Sequence, residues 1–106
     1  MALTVLITRD VEDRYRGFLA SAMLEVAPGV YTSPHLSAGA RERVWAVLTQ
    51  WHTALGRGAI TLIYADRSTD GGLSVRSLGT PPVQPVRLDG ILLSRRENPK
   101  PPALAL

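Results

Sequence analysis

Apolar and polar positions alternate in blocks along the chain, and the period of each block predicts an element. Leu3 to Thr8 carries Leu3, Val5, Leu6 and Ile7 between polar ends and reads as a buried strand. From Val11 to Val26 the apolar residues Tyr15, Leu19, Ala22 or Met23, and Val26 recur at helical spacing, and Ala27-Pro28-Gly29 stops the run. Val30-Tyr31-Thr32 is a short β-prone stretch, followed by a loop at Ser33-Pro34-His35. Ser37 then caps a second helix that runs to about Leu55, with Val44, Leu48, Trp51 and Leu55 as its apolar stripe. Gly56-Arg57-Gly58 ends it.

Ala59 to Ala65 is the clearest strand, and Asp66 to Gly72 is a turn. Leu73 to Leu78 alternates as a strand with one wet face. A proline-rich connector over Gly79 to Pro85 leads to a last strand, about Arg87 to Ser94. The residues therefore read as β-α-β-α-β-β-β, a small α+β domain with two helices on one face of a sheet. A sheet covered on one face is commonly closed by a second subunit, so a homodimer is expected. Two regions are predicted: a domain over 1–94 and a flexible proline-rich tail over 95–106.

Composition narrows the field. A chain of 106 residues supports one core. It has 45% hydrophobic and 20% charged residues, as in soluble globular domains, and no apolar run long enough to span a membrane. The apolar start, Met1 to Ile7, is too short and lacks the basic flank of a signal peptide. The absence of cysteine excludes disulfides, zinc–thiolate sites and thiol nucleophiles, and fits a cytoplasmic location. Net charge is +3, and all but one of the 12 basic residues are arginine, the exception being Lys100. Guanidinium groups bind phosphate bidentately, so the modest positive excess favours nucleic acid or another anion as partner, with plain solubility charge as the alternative reading.

A family resemblance sharpens this. Arg14-Tyr15-Arg16-Gly17, Leu24-Glu25-Val26, Gly29-Val30-Tyr31, Ser37, Arg41-Glu42, Trp45 and Leu88-Asp89-Gly90 together resemble the type I-E branch of CRISPR-associated protein 2, over about Leu3 to Leu93. The resemblance implies a ferredoxin-like βαββαβ sandwich with an extra C-terminal strand that crosses to a partner in a homodimer. It implies that the dimer sits between two dimers of the CRISPR integrase (CRISPR-associated protein 1), holds double-stranded DNA and serves spacer acquisition in antiviral defence. The C-terminal segment then packs on the integrase. Some members cleave RNA or DNA with a divalent metal held between two symmetry-related acidic residues.

Mapped onto this sequence, Arg14 and Arg16 fall on phosphate-contacting positions. Two arginines near a helix start suit such contacts, which give affinity and register but no sequence choice. Pairing with Glu12 or Asp13 on a solvated face is the alternative. Arg41 and Arg43 flank the second helix start and either add phosphate contacts or pair with Glu42.

The acidic position is altered. Thr8 is followed by Arg9, and Asp10 comes one residue later. Asp10 therefore has two readings, a helix N-cap or the ligand of Mg2+ in an endonuclease. One carboxylate per subunit is a weak magnesium site. The basic pair expected before the last strand appears as Pro82-Val83, and a basic position early in the second helix appears as Gly39. One extra residue separates Tyr31 from Ser37. His35 and His52 have no partners at ligand spacing, Trp45 and Trp51 read as core, and Asp66 and Asp70 bracket a turn.

Overall fold

A computed structural model describes residues 3–81 and 83–96. β1 (Thr4–Arg9), α1 (Asp13–Ala20), β2 (Leu24–Ala27), β3 (Val30–Ser33), α2 (Ala38–Leu55), β4 (Ala59–Ala65) and β5 (Leu73–Leu78) come first in chain order, followed by a hairpin of β6 (Val83–Leu88) and β7 (Ile91–Arg96). The first five strands form one antiparallel sheet in the order β2-β3-β1-β4-β5. β1-α1-β2 and β3-α2-β4 are two split crossovers, each straddling a strand that belongs to the other. This is the ferredoxin-like βαββαβ arrangement with β5 added at an edge.

Pairing fixes the two faces of the sheet. Leu6 lies opposite both Tyr31 and Leu62. These three, with Thr4, Ile60 and Tyr64, point to the side where Tyr15, Leu19, Val44 and Leu48 of the helices complete the core. The intervening residues point the other way. Val5 pairs with Thr32 and Ile63, and Ile63 with Val75, so an apolar row crosses the opposite face. No helix among the described residues covers it, as the sequence anticipated. Leu24 extends the row at the β2 edge and is 66% exposed.

The first helix is shorter than its periodicity predicts. It ends at Ala20, where the Ser21 hydroxyl donates to the Phe18 carbonyl at 2.6 Å and the Met23 N–H closes on Leu19. Of the apolar positions assigned to its last turns, Ala22 and Met23 fall in the turn after α1 and Val26 falls in β2, which pairs with β3. Met23 is buried there, but Val26 is 55% exposed. The spacing of Val26 from Met23 fits a helix, but β3 gave residues 24–27 a strand partner instead.

α2 follows its signals. The Ser37 hydroxyl accepts the Ala40 N–H at 3.1 Å, and Gly56 (φ +67°) closes the end with its N–H on the His52 carbonyl.

The last predicted strand, Arg87 to Ser94, is instead a hairpin bend. Asp89 (φ +53°) and Gly90 (φ +77°) form a two-residue turn that sets Leu88 against Ile91. The connector from Val83 onward is β6, and Pro85 lies within it, in a strand with only one partner. β7 reaches Arg96, past the predicted tail boundary, and residues 97–106 lie outside the described residues. No helix among the described residues is long and apolar enough to cross a membrane.

Candidate nucleic-acid interface

Tyr15 and Leu19 anchor α1 on the core, which turns the residues on either side of Tyr15 outward. Arg14 leans toward α2, with its guanidinium 5.5 Å from the centre of the Trp51 ring. Trp51 is held edge-on by Tyr15 and Phe18, each with ring centres 5.3 Å away, so the platform is fixed. Arg16 leans the opposite way, toward β2, with Nε 3.4 Å from Glu25 Oε1. The two guanidiniums therefore straddle the helix rather than stacking along it.

Glu25 is itself held. Its other oxygen accepts the Gly29 N–H at 3.1 Å. That bond first, with Arg16 helping, keeps its carboxyl below the ordinary range despite some desolvation. Gly29 has φ +77°, and a Cβ there would meet the Thr8 carbonyl oxygen at 2.8 Å. Thr8 in turn donates its N–H to the Gly29 carbonyl at 2.7 Å. The β2–β3 turn is thus clamped to the end of β1, and through Glu25 it fixes one side of Arg16. The Arg16 side chain remains 65% exposed, so its remaining donors face solvent.

The α2 arginines divide. The Arg41 guanidinium lies 3.8 Å from the centre of the Tyr64 ring, its Nε is 3.1 Å from Glu42, and its side chain is only 18% exposed. Glu42 also takes Arg76 of β5 through both oxygens, at 2.8 and 2.9 Å. The Arg76 bond chiefly, with Arg41, lowers the Glu42 carboxyl. Of the two readings of Arg41, pairing with Glu42 is the one the geometry records. Arg43 is exposed and, among the described residues, without an ion pair.

Sequence alternation did not reveal Arg76 as a partner. Ser74, Arg76 and Leu78 look like the wet set of β5, yet Arg76 pairs in register with the buried Leu62 and so faces the helices. Glu25 was hidden for the same reason that β2 was read as helix.

Asp10 is not the helix cap. Glu12 occupies that position, without a side-chain cap bond, and Asp10 precedes it by two residues in a left-handed conformation (φ +56°). The Asp10 carboxylate meets Arg57 Nη2 at 3.1 Å. Among the described residues there is no grouping of three His, Asp or Glu side chains that would hold a metal ion. Within one subunit Asp10 is a single exposed carboxylate paired with a guanidinium, which is a weak Mg2+ ligand by itself, so the metal reading needs a second, symmetry-related carboxylate.

His52 contacts the Gly58 carbonyl at 3.0 Å and ties the end of α2 to β4. Asp66 has the turn role its position predicts. It accepts the Ser68 N–H and the Ser68 and Ser74 hydroxyls, which hold its carboxyl down to about 2.

A ferredoxin-like domain with one bare sheet face, and with guanidiniums set on either side of its first helix, is the class that fold and site define. The sequence matches the family described as CRISPR-associated protein (Cas_Cas2CT1978) over residues 3–93, which takes in both helices and all but the end of β7. The chain belongs to that family and is a CRISPR-associated, Cas2-like protein.

Proposed function

We propose that the chain is the spacer-acquisition subunit of a type I-E system: a homodimeric scaffold that holds duplex DNA and bridges dimers of the CRISPR integrase. The observation that carries this reading is the pair Arg14 and Arg16. Both are exposed, both are oriented by fixed neighbours, and neither is consumed by the core. Such groups suit backbone phosphates spaced along a duplex, where they supply affinity and register. Arg43 adds an unpaired charge near the start of α2, whereas Arg41 contributes from a fixed position on Tyr64.

The homodimer is proposed to close over the apolar row Leu24, Val5, Ile63 and Val75. That row would otherwise leave apolar side chains against water. In this reading the protein itself performs no metal-dependent step.

The test is spacer integration with purified integrase, duplex DNA and a repeat-bearing plasmid. Integration is expected to require this protein, to fail with Arg14→Ala/Arg16→Ala and to survive Asp10→Ala. Integration without the protein, together with a metal-dependent cleavage lost in Asp10→Ala, would make it an endonuclease instead.

A further inference from the structure

Glu25 lies opposite the buried Tyr31 in the β2–β3 ladder, so its side chain rises on the helix side of the sheet, beside α1. Both of its oxygens are committed. Oε2 accepts the Gly29 N–H at 3.1 Å, and Oε1 lies 3.4 Å from Arg16 Nε. The Tyr31 hydroxyl adds a bond to the same carboxyl. Gly29 is in turn pinned to the end of β1, where its carbonyl accepts the Thr8 N–H at 2.7 Å and the Thr8 hydroxyl at 3.1 Å. The anchor is therefore firmer than what it holds: the Glu25 side chain is 24% exposed and that of Arg16 65%.

Glu12, Asp13 and Glu25 all line the cleft beside Arg16, so the cleft itself is not cationic. Among the described residues, only Glu25 of the three meets the guanidinium. It does so at the Nε edge and leaves the terminal Nη1 and Nη2 donors, the fork that suits two oxygens of one phosphate. Glu42 acts differently. It takes Arg76 by Nη1 through both oxygens, and its other partner, Arg41, is only 18% exposed. An exposed ion pair such as Arg16–Glu25 stabilises a fold little. What it changes is the freedom of Arg16 before anything binds. A long side chain that must be immobilised on binding forfeits about two- to tenfold in affinity, a cost that a held side chain has already met.

We propose that Glu25 is a positioning residue for duplex binding: anchored on the β2–β3 turn, it holds Arg16 by the Nε edge and presents the terminal nitrogens to a backbone phosphate. The inference rests on the duplex-binding reading above and names the residue through which the β2–β3 turn reaches the DNA contact. The negative charge of Glu25 also opposes the phosphate, so its two effects have opposite signs. They separate by salt and by partner. Repulsion fades as salt rises and does not require Arg16, whereas orientation acts only through Arg16.

The experiment is anisotropy of a labelled DNA duplex titrated with the full chain at about 0.15 M salt, where the Debye length is about 8 Å. Wild type, Glu25→Gln, Arg16→Ala and the double variant form a cycle, with thermal unfolding as the folding control. Glutamine keeps an oxygen for the Gly29 N–H but turns an NH2 toward Arg16 in place of an acceptor. Glu25→Ala, alone and with Arg16→Ala, is the second variant. Glu12→Gln is the charge control, since Glu12 lines the same cleft and makes no ion pair among the described residues. Both Glu25 variants are expected to weaken binding about two- to tenfold in the wild-type background and to change nothing in the Arg16→Ala background, while Glu12→Gln tightens binding. Equal losses in both backgrounds would put the effect in the turn itself and overturn the proposal. A gain in affinity like that of Glu12→Gln would make Glu25 an opposing charge only, and would overturn it too. If Arg16→Ala weakens binding while the Glu25 variants bind as wild type does, the duplex reading stands and the positioning role falls. If Arg16→Ala binds as wild type does, Arg16 leaves the duplex reading and this inference falls with it.

Discussion

Gly58 is where the backbone under Arg9 and Asp10 is most exposed to a single methyl group. It has φ +84°, and a Cβ there would lie 2.5 Å from the Asp10 carbonyl oxygen, 2.8 Å from that of Arg9 and 2.8 Å from Val11 Cγ1. Gly72 is the control. Its φ is +80°, but a Cβ there meets nothing within 4 Å. Alanine in the left-handed region costs about 1–2 kcal/mol at either site. Reduced freedom of the unfolded chain offsets about 0.4–1 kcal/mol at both.

The difference between the two variants therefore isolates the clash. Overpacking against atoms that cannot rotate away costs about 1–3 kcal/mol, and two of the three atoms here are backbone oxygens. Gly58→Ala is expected to lose about 3 kcal/mol and Gly72→Ala about 1 kcal/mol. For a domain of this size the gap of about 2 kcal/mol is roughly 8–16 °C in melting temperature. Circular dichroism melts at one protein concentration measure it, since a dimer makes melting concentration-dependent. If the two variants melt together, the close packing of the end of β1 against the start of β4 is wrong.

Three further outcomes follow from single groups. The Tyr15 hydroxyl is buried with no hydrogen-bond partner among the described residues, so Tyr15→Phe is expected to keep or raise stability, by up to about 1 kcal/mol in urea unfolding. A clear loss would show that the hydroxyl is bonded. Asp66 has its carboxyl lowered from 3.8 to about 2, so the stability it contributes is complete above pH 3.8 and is lost as pH falls toward 2. The urea midpoint of wild type should therefore drop over that window more than that of Asp66→Asn, and equal acid sensitivity would refute the assignment. Glu42→Gln removes the carboxylate that Arg41 and Arg76 share, at a cost of about 1 kcal/mol or less because the pairs are partly exposed. On the proposed function it should also tighten duplex binding and steepen its salt dependence, which anisotropy reads directly.

Legibility in the sequence followed the length of each element and the locality of its signals. α2 carries its own cap, stripe and C-terminal glycine, and Ser37 and Gly56 do what their residue types predict. β1 and β4 are continuous apolar runs in the middle of the sheet and were equally plain. β2 was not, because four residues cannot establish a period against the helix that precedes them. What decides its conformation is the neighbouring β3, a tertiary fact. Leu88-Asp89-Gly90 was read as the approach to a strand. Its Asp-Gly pair is a hairpin signal that an apolar run on either side should have revealed. For the site, residue type located the arginines, but only the fold shows which way each one leans.

That last point governs how charge should be counted in this protein. The sequence offers a net charge of +3 and a surplus of guanidiniums, yet a sum says nothing of where the surplus acts. The fold spends acids selectively. Glu42 occupies Arg41 and Arg76 on the helix side of the sheet, and Asp10 occupies Arg57 at the loop before β4. Glu25 takes only one edge of Arg16, whose side chain stays 65% exposed, and Arg14 rests on a ring instead of an acid. Arg9, Arg43, Arg67, Arg87 and Arg95 have no carboxylate partner among the described residues. The unpaired arginines are thus spread over the domain, with Arg14 and Arg16 of α1 oriented by fixed neighbours, and the Glu42 pairs lie between α2 and β5. On the proposed function a duplex would settle on the exposed, oriented arginines of α1. On that reading, variants of Arg41, Arg57 and Arg76 should change stability before they change binding, whereas those of Arg14 and Arg16 should do the reverse.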